Sequence, residues 1–137
     1  MPSLDQLCSA ARRAVQAQDW RIVQTCVAEI LRRDAGSAEG HFLAGLAEKA
    51  AQRPVKATEA FARALELEPK RIEPKLWLAL SKEQDGNLAG AVADYNALIA
   101  EAPEGAPWKK ALEDRLAGVE AQASGTQKDQ TQAQPQT

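Results

Sequence analysis

The chain has 137 residues, room for one domain. Hydrophobic residues make up 45% of it and aromatic residues only 4%, a balance that suits closely approaching helices better than a strand-built core. A formal charge of −2 supplies no field to gather phosphates, which argues against nucleic acid as a partner, and no run of about 18 apolar residues is present to insert into a bilayer.

The apolar positions Leu4, Leu7, Ala11, Ala14 and Val15 keep a helical period through Ala17. Asp19 reads as the N-cap of a second helix that starts at Trp20, with Val23, Val27, Ile30 and Leu31 on its inward stripe. Asp34–Ser37 reads as a turn, in which Gly36 is free to take a positive φ and Ser37 caps the next helix. From Ala38 to Lys70 the pattern predicts two short helices folded against each other, with the small residues Ala44 and Gly45 where they cross. Pro54 opens the second of these, a position where its missing amide loses no hydrogen bond. Ala57, Phe61 and Ala64 form its inward stripe, Glu59 and Arg63 are spaced to pair outside, and Pro69 closes the unit. Pro74 falls in the first turn of the following helix, and Asp85-Gly86-Asn87 is a helix stop followed by a cap for Leu88–Ala100. Pro107 and Trp108 open a last helix, 107–122, whose stripe is Leu112, Leu116 and Val119, with Lys109–Glu113 and Lys110–Asp114 spaced to pair outside. The tail 123–137 has no large apolar residue and is expected to be disordered.

A shift of 34 residues brings the chain back onto itself. Ala11, Gly45 and Ala79 align, as do Val23, Ala57 and Ala91; Val27, Phe61 and Tyr95; Ile30, Ala64 and Leu98. Leu31, Leu65 and Ile99 also align, and Ala35 stands where the later copies close with Pro69 and Pro103. Small residues recur where backbones approach and bulky ones where a gap between helices must be filled. Three copies result, 4–37, 38–71 and 72–105. A single helical pair cannot bury its own apolar face, so such copies imply stacking.

With this period, Gly45, Ala57-Thr-Glu-Ala-Phe61 and Pro69, echoed by Ala79, Ala91-Val-Ala-Asp-Tyr95 and Pro103, the chain resembles the tetratricopeptide repeat family over about three quarters of its length. The resemblance implies an all-α fold: a right-handed superhelix of three helical hairpins in a domain 1–122, with helix 107–122 as the terminal cap. The aromatic residues the family favours in its first helices are missing; Leu7, His41 and Lys75 occupy one such column, and Ala14, Glu48 and Lys82 the other. Two weaker resemblances accompany it. Asp85–Val119 looks like the end of repeat domains in c-type cytochrome maturation proteins, and Gln18–Ala50 like the repeat region preceding bacterial sulfotransferase domains.

No residue cluster suggests catalysis. His41 is the single histidine, no Gly-rich phosphate loop exists, and Glu66 and Glu68 fall on different sides of their helix. Cys8 and Cys26 have neither a CxxC spacing nor a histidine beside them, so no metal site, cofactor or enzyme activity is expected. The N-terminus MPSLDQLCSAARR lacks a basic stretch followed by an apolar core, which makes the cytoplasm the expected location.

What remains is a surface. The resemblance places a partner-binding concave groove on the first helix of each pair: Arg12, Val15, Phe42, Leu46, Lys49, Leu76, Trp77, Leu80 and Glu83, with Cys8, Ser9 and Leu43 beside them. It implies an adaptor that takes a peptide or amphipathic helix of another protein. Four alternatives stay open: the same apolar face closes a homodimer, Phe42, Leu76 and Trp77 serve the core instead, the final helix fills the groove, or, as the two weaker resemblances imply, the chain is an accessory or fragment of a larger cytochrome c maturation or sulfotransferase-like system. The clamp with which some family members hold a carboxylate terminus is excluded, because its columns carry Cys8, Arg12, Leu43, Glu73 and Trp77.

Overall fold

The computed structural model describes the backbone of residues 1–133 and side chains through residue 125. Among these residues there are seven α-helices and no strand: α1 Leu4–Gln16, α2 Trp20–Arg33, α3 Ala38–Ala50, α4 Pro54–Leu67, α5 Ile72–Gln84, α6 Leu88–Glu101 and α7 Pro107–Ala133. α7 runs past the expected end at Gln122, and the last residues of the tail, expected to be disordered, lie outside those described. The helices fall into two compact units, residues 1–74 and 75–137.

The helix boundaries have local causes. Ser3 caps α1 in a capping box with Gln6, and the Asp19 carboxylate accepts the amide of Ile22 at 3.3 Å to start α2. The Ser37 hydroxyl accepts from Gly40, the Asn87 side chain accepts from Gly90, and α4 starts on Pro54 with no capping side chain. Each first helix ends in the same double hydrogen bond. The amides of Asp19, Arg53 and Asn87 reach back to the carbonyls of Ala14, Glu48 and Lys82, while those of Gln18, Gln52 and Gly86 reach Val15, Lys49 and Glu83. This is the Schellman arrangement, which places one residue in the left-handed region. Here that residue is Gln18 (φ 57°), Gln52 (φ 61°) or Gly86 (φ 85°), one per repeat at 34-residue spacing. Gly36 needs no such conformation; its amide donates to the Asp34 carboxylate instead.

In the first unit α1 packs on α2, α2 on α3, and α3 on α4. The aligned columns form its core: Ala11, Val23, Val27, Ile30, Ala57, Phe61 and Ala64 are all buried. Gly45 lets α4 come close enough for the Phe61 ring to lie on the α3 backbone, and Phe42 packs against the same ring at 5.8 Å between centroids. In the second unit the corresponding columns, Ala79, Ala91, Tyr95 and Leu98, are buried as well. There α7 packs on α6, burying Leu112 and Val119, with Leu116 half-buried. Arg63 pairs with Glu66 at 2.9 Å rather than with Glu59, while Lys110 and Asp114 pair at 3.6 Å as their spacing suggests. Among the described residues no helix is long and apolar enough to cross a membrane.

Candidate binding surface

In the first unit an ionic cluster joins α1, α3 and the opening turn of α5. Arg12 donates through Nε and Nη2 to both Glu39 oxygens, at 2.6 and 2.9 Å. The same guanidinium donates through Nη1 and Nη2 to Glu73, at 3.1 and 2.9 Å, and lies 5.7 Å from the centre of the Phe42 ring. A planar fork that grips two carboxylates at once is geometry lysine does not supply. Arg71, in the turn after α4, donates to Glu39 and Glu68 and stands 3.8 Å from Glu73. Burial raises the Glu39 pKa, but hydrogen bonds from Arg12 and Arg71 outweigh it and hold the carboxyl below its ordinary value. The neighbouring Cys8 thiol is pushed up, first by burial and then by Glu39 and Asp5, which favours its protonated form.

In the second unit the node is Glu83, near the end of α5. The hydroxyl of Tyr95 on α6 donates to Glu83 Oε1 at 2.9 Å, and Arg115 of α7 donates to both Glu83 oxygens at 3.0 and 3.3 Å. Arg115 Nε also donates to the Tyr95 oxygen, at 3.1 Å. Burial and the Glu83 carboxylate push the Tyr95 pKa up to about 12, so the phenol stays neutral and donates. Lys75–Glu101 and Lys82–Asp94, at 3.0 and 2.8 Å, tie α5 to α6 beside it.

The residues expected on the binding surface divide accordingly. Phe42 and Leu46 are 2% and 9% exposed, and Leu43 is fully buried, so these three belong to the core. With no aromatic side chain in the usual first-helix columns, Phe42 fills the space beside Phe61. Arg12 is exposed but fully engaged in the ionic cluster, and Val15 and Lys49 are half-buried. In the second unit Leu76, Trp77 and Leu80 are half-buried along α5, and Glu83 is held by α7. His41 hydrogen-bonds the Ala35 carbonyl at 3.0 Å, a satisfied helix residue. No group of histidine, cysteine and acidic side chains able to hold a metal occurs among the described residues, and Cys8 and Cys26 are free thiols.

Sequence reasoning did not single out Glu39, Glu73, Arg71, Tyr95 or Arg115 as parts of these clusters. A signal existed for two of them: Asp5, Glu39 and Glu73 recur at 34-residue spacing in the first turn of each first helix. An acid there complements the helix N-terminus, which accounts for the column without reference to arginine.

No family model matches the chain, and no curated protein matches it. Solved structures do. The Yersinia enterocolitica type III secretion translocator chaperone SycD is similar at a TM-score of 0.75 and 18% identity, over 88% of this chain and 86% of that one. SycD in complex with a peptide of the translocator YopD gives 0.73 and 19% identity, over 88% and 94% of the two chains. The TPR domain of Arabidopsis OM64 gives 0.69 and 16% identity, over 84% and 94%. At these identities the likeness speaks for the fold, and with the helix count, the 34-residue columns and their burial it shows that the chain has a tetratricopeptide-repeat-like fold.

Proposed function

We propose that the protein is a protein-binding adaptor that holds a peptide or amphipathic helix of a partner against its first-helix residues. The observation that carries this reading is the half-buried apolar row Leu76, Trp77 and Leu80 on α5, in a fold shared with a chaperone solved around a bound peptide. Such a row, too wet for a core and too apolar for a purely solvated helix face, is what an amphipathic segment covers. In the first unit Val15 and Lys49 offer a smaller half-buried patch; Phe42 and Leu46 belong to the core and are not part of the surface. The test is capture of the native partner by wild type and by Val15→Glu and Leu80→Glu variants. Loss of capture with unchanged helical circular dichroism supports the reading, and undiminished capture by both variants rejects it.

Self-association is the second reading. It is favoured by the SycD structure described as an alternative dimer, and by exposed Leu4 and Ile22, at 37% and 46%, on the first hairpin. Sedimentation at micromolar concentration decides it: a clean monomer removes it.

A further inference from the structure

The Glu83 node has a property that capping alone does not require. A terminal helix needs an apolar stripe on its inner face, and α7 has one in Leu112, Leu116 and Val119. Arg115 adds a polar grip beyond that stripe. Its guanidinium takes both oxygens of a carboxylate that belongs to α5, the helix carrying Leu76, Trp77 and Leu80. Glu83 retains the Tyr95 hydroxyl as a second donor, so its charge stays compensated in part when Arg115 leaves. The Arg115 side chain is 46% exposed and the Glu83 side chain 20%, which puts the pair at the surface, where exchange with another cation is feasible.

We propose that Arg115 is a built-in competitor: through it α7 occupies, on the Glu83 carboxylate, the place that a basic side chain of the partner takes. This rests on the adaptor reading above and adds to it the partner's chemistry, an apolar segment followed by an arginine or lysine. The apolar residues lie along Leu76, Trp77 and Leu80, and the cation reaches Glu83 after Arg115 has swung away. Tyr95 stays in place and orients the carboxylate for either occupant. Binding and release of the α7 grip are then coupled, and removing the competitor strengthens binding.

The experiment uses the full chain and a fluorescent amphipathic peptide with a leucine stripe, made in an arginine-bearing and a glutamate-bearing version. Anisotropy titrations compare wild type, Arg115→Gln and the double variant Glu83→Gln/Arg115→Gln. The expected result is that Arg115→Gln binds the arginine peptide about tenfold tighter than wild type, a typical coupling. The double variant loses the preference for arginine over glutamate. Arg115→Lys, a point charge without the fork, falls between, and it serves as the second variant if Arg115→Gln fails to fold. Hydrogen exchange across α7 rises in Arg115→Gln if the grip is real. Equal binding of both peptides by wild type and Arg115→Gln overturns the competitor while leaving the adaptor reading intact. Failure of every protein to bind either peptide overturns both.

Discussion

Gly45 on α3 faces the ring of Phe61 on α4 with no room for a side chain: a Cβ there would lie 2.6 Å from Cδ1 and 2.9 Å from Cζ. The Phe61 ring is fully buried and cannot swing away. Gly45→Ala gains about 1 kcal/mol of helix propensity and loses about 2–3 kcal/mol by overpacking. A net loss of stability follows. Gly118, in α7, where a Cβ would meet nothing within 4 Å, is the control. There the same substitution stabilises by about 0.5–1 kcal/mol. Urea midpoints at constant slope read both.

The left-handed column at residues 18, 52 and 86 predicts a pair of opposite effects. Gln52 sits at φ 61°, a region where a Cβ costs on the order of 1 kcal/mol, and Gly86 sits at φ 85° with open space around it. Gln52→Gly stabilises by about 0.5–1 kcal/mol, and Gly86→Ala destabilises by about the same. Thermal melts of the two variants check this, and a shared sign contradicts it.

Tyr95 is the single tyrosine, so tyrosinate absorbance reports on it alone. Its pKa is raised from 10.0 to about 12, chiefly by burial. A raised acid group favours folding below its unfolded pKa and withdraws that contribution as pH climbs through the folded value. Native stability therefore falls between pH 10 and about 12, and Tyr95→Phe removes that slope. A phenol midpoint at the ordinary value in the folded protein contradicts the buried node.

Glu39 supplies the acid limb. Its carboxyl is held below the ordinary 4.5, so the stability it contributes is full above that pH and lost as pH falls through the depressed value. Glu39→Gln lowers stability at neutral pH, because Arg12 and Arg71 each lose a charged partner, and flattens the acid slope. Salt weakens wild type more than this variant, since the cluster is half-exposed. Urea unfolding across the acid range measures it.

The helices and the core were legible in the sequence because helical spacing and a 34-residue shift fix them together. Asp19, Ser37, Pro54 and Asn87 start helices as their chemistry requires, and the columns at Gly45, Ala57, Phe61 and Ala64 are buried in every repeat, while Leu31, Leu65 and Ile99 are half-buried. The candidate surface was legible only in part. Spacing says which residues share a helix side, not how far around its neighbour that side is covered, so Phe42 reads as either surface or core, and Leu46, which reads as surface, is buried. The ionic clusters were hidden for a related reason. Arg12–Glu73 and Arg115–Glu83 join residues 61 and 32 positions apart, and helix packing, not periodicity, decides whether long side chains meet. Gln18 and Gln52 conceal their left-handed conformations because glutamine does not announce a turn as Gly86 does.

A photo-crosslinking residue placed at Leu80, compared with one at Val55, tests the adaptor reading most directly. Leu80 is half-buried on the first-helix row, whereas Val55 is 70% exposed on α4. In the native cell the account predicts a discrete crosslinked partner from position 80 and none from position 55. Equal labelling at both positions, or a partner captured only through Val55, would contradict it.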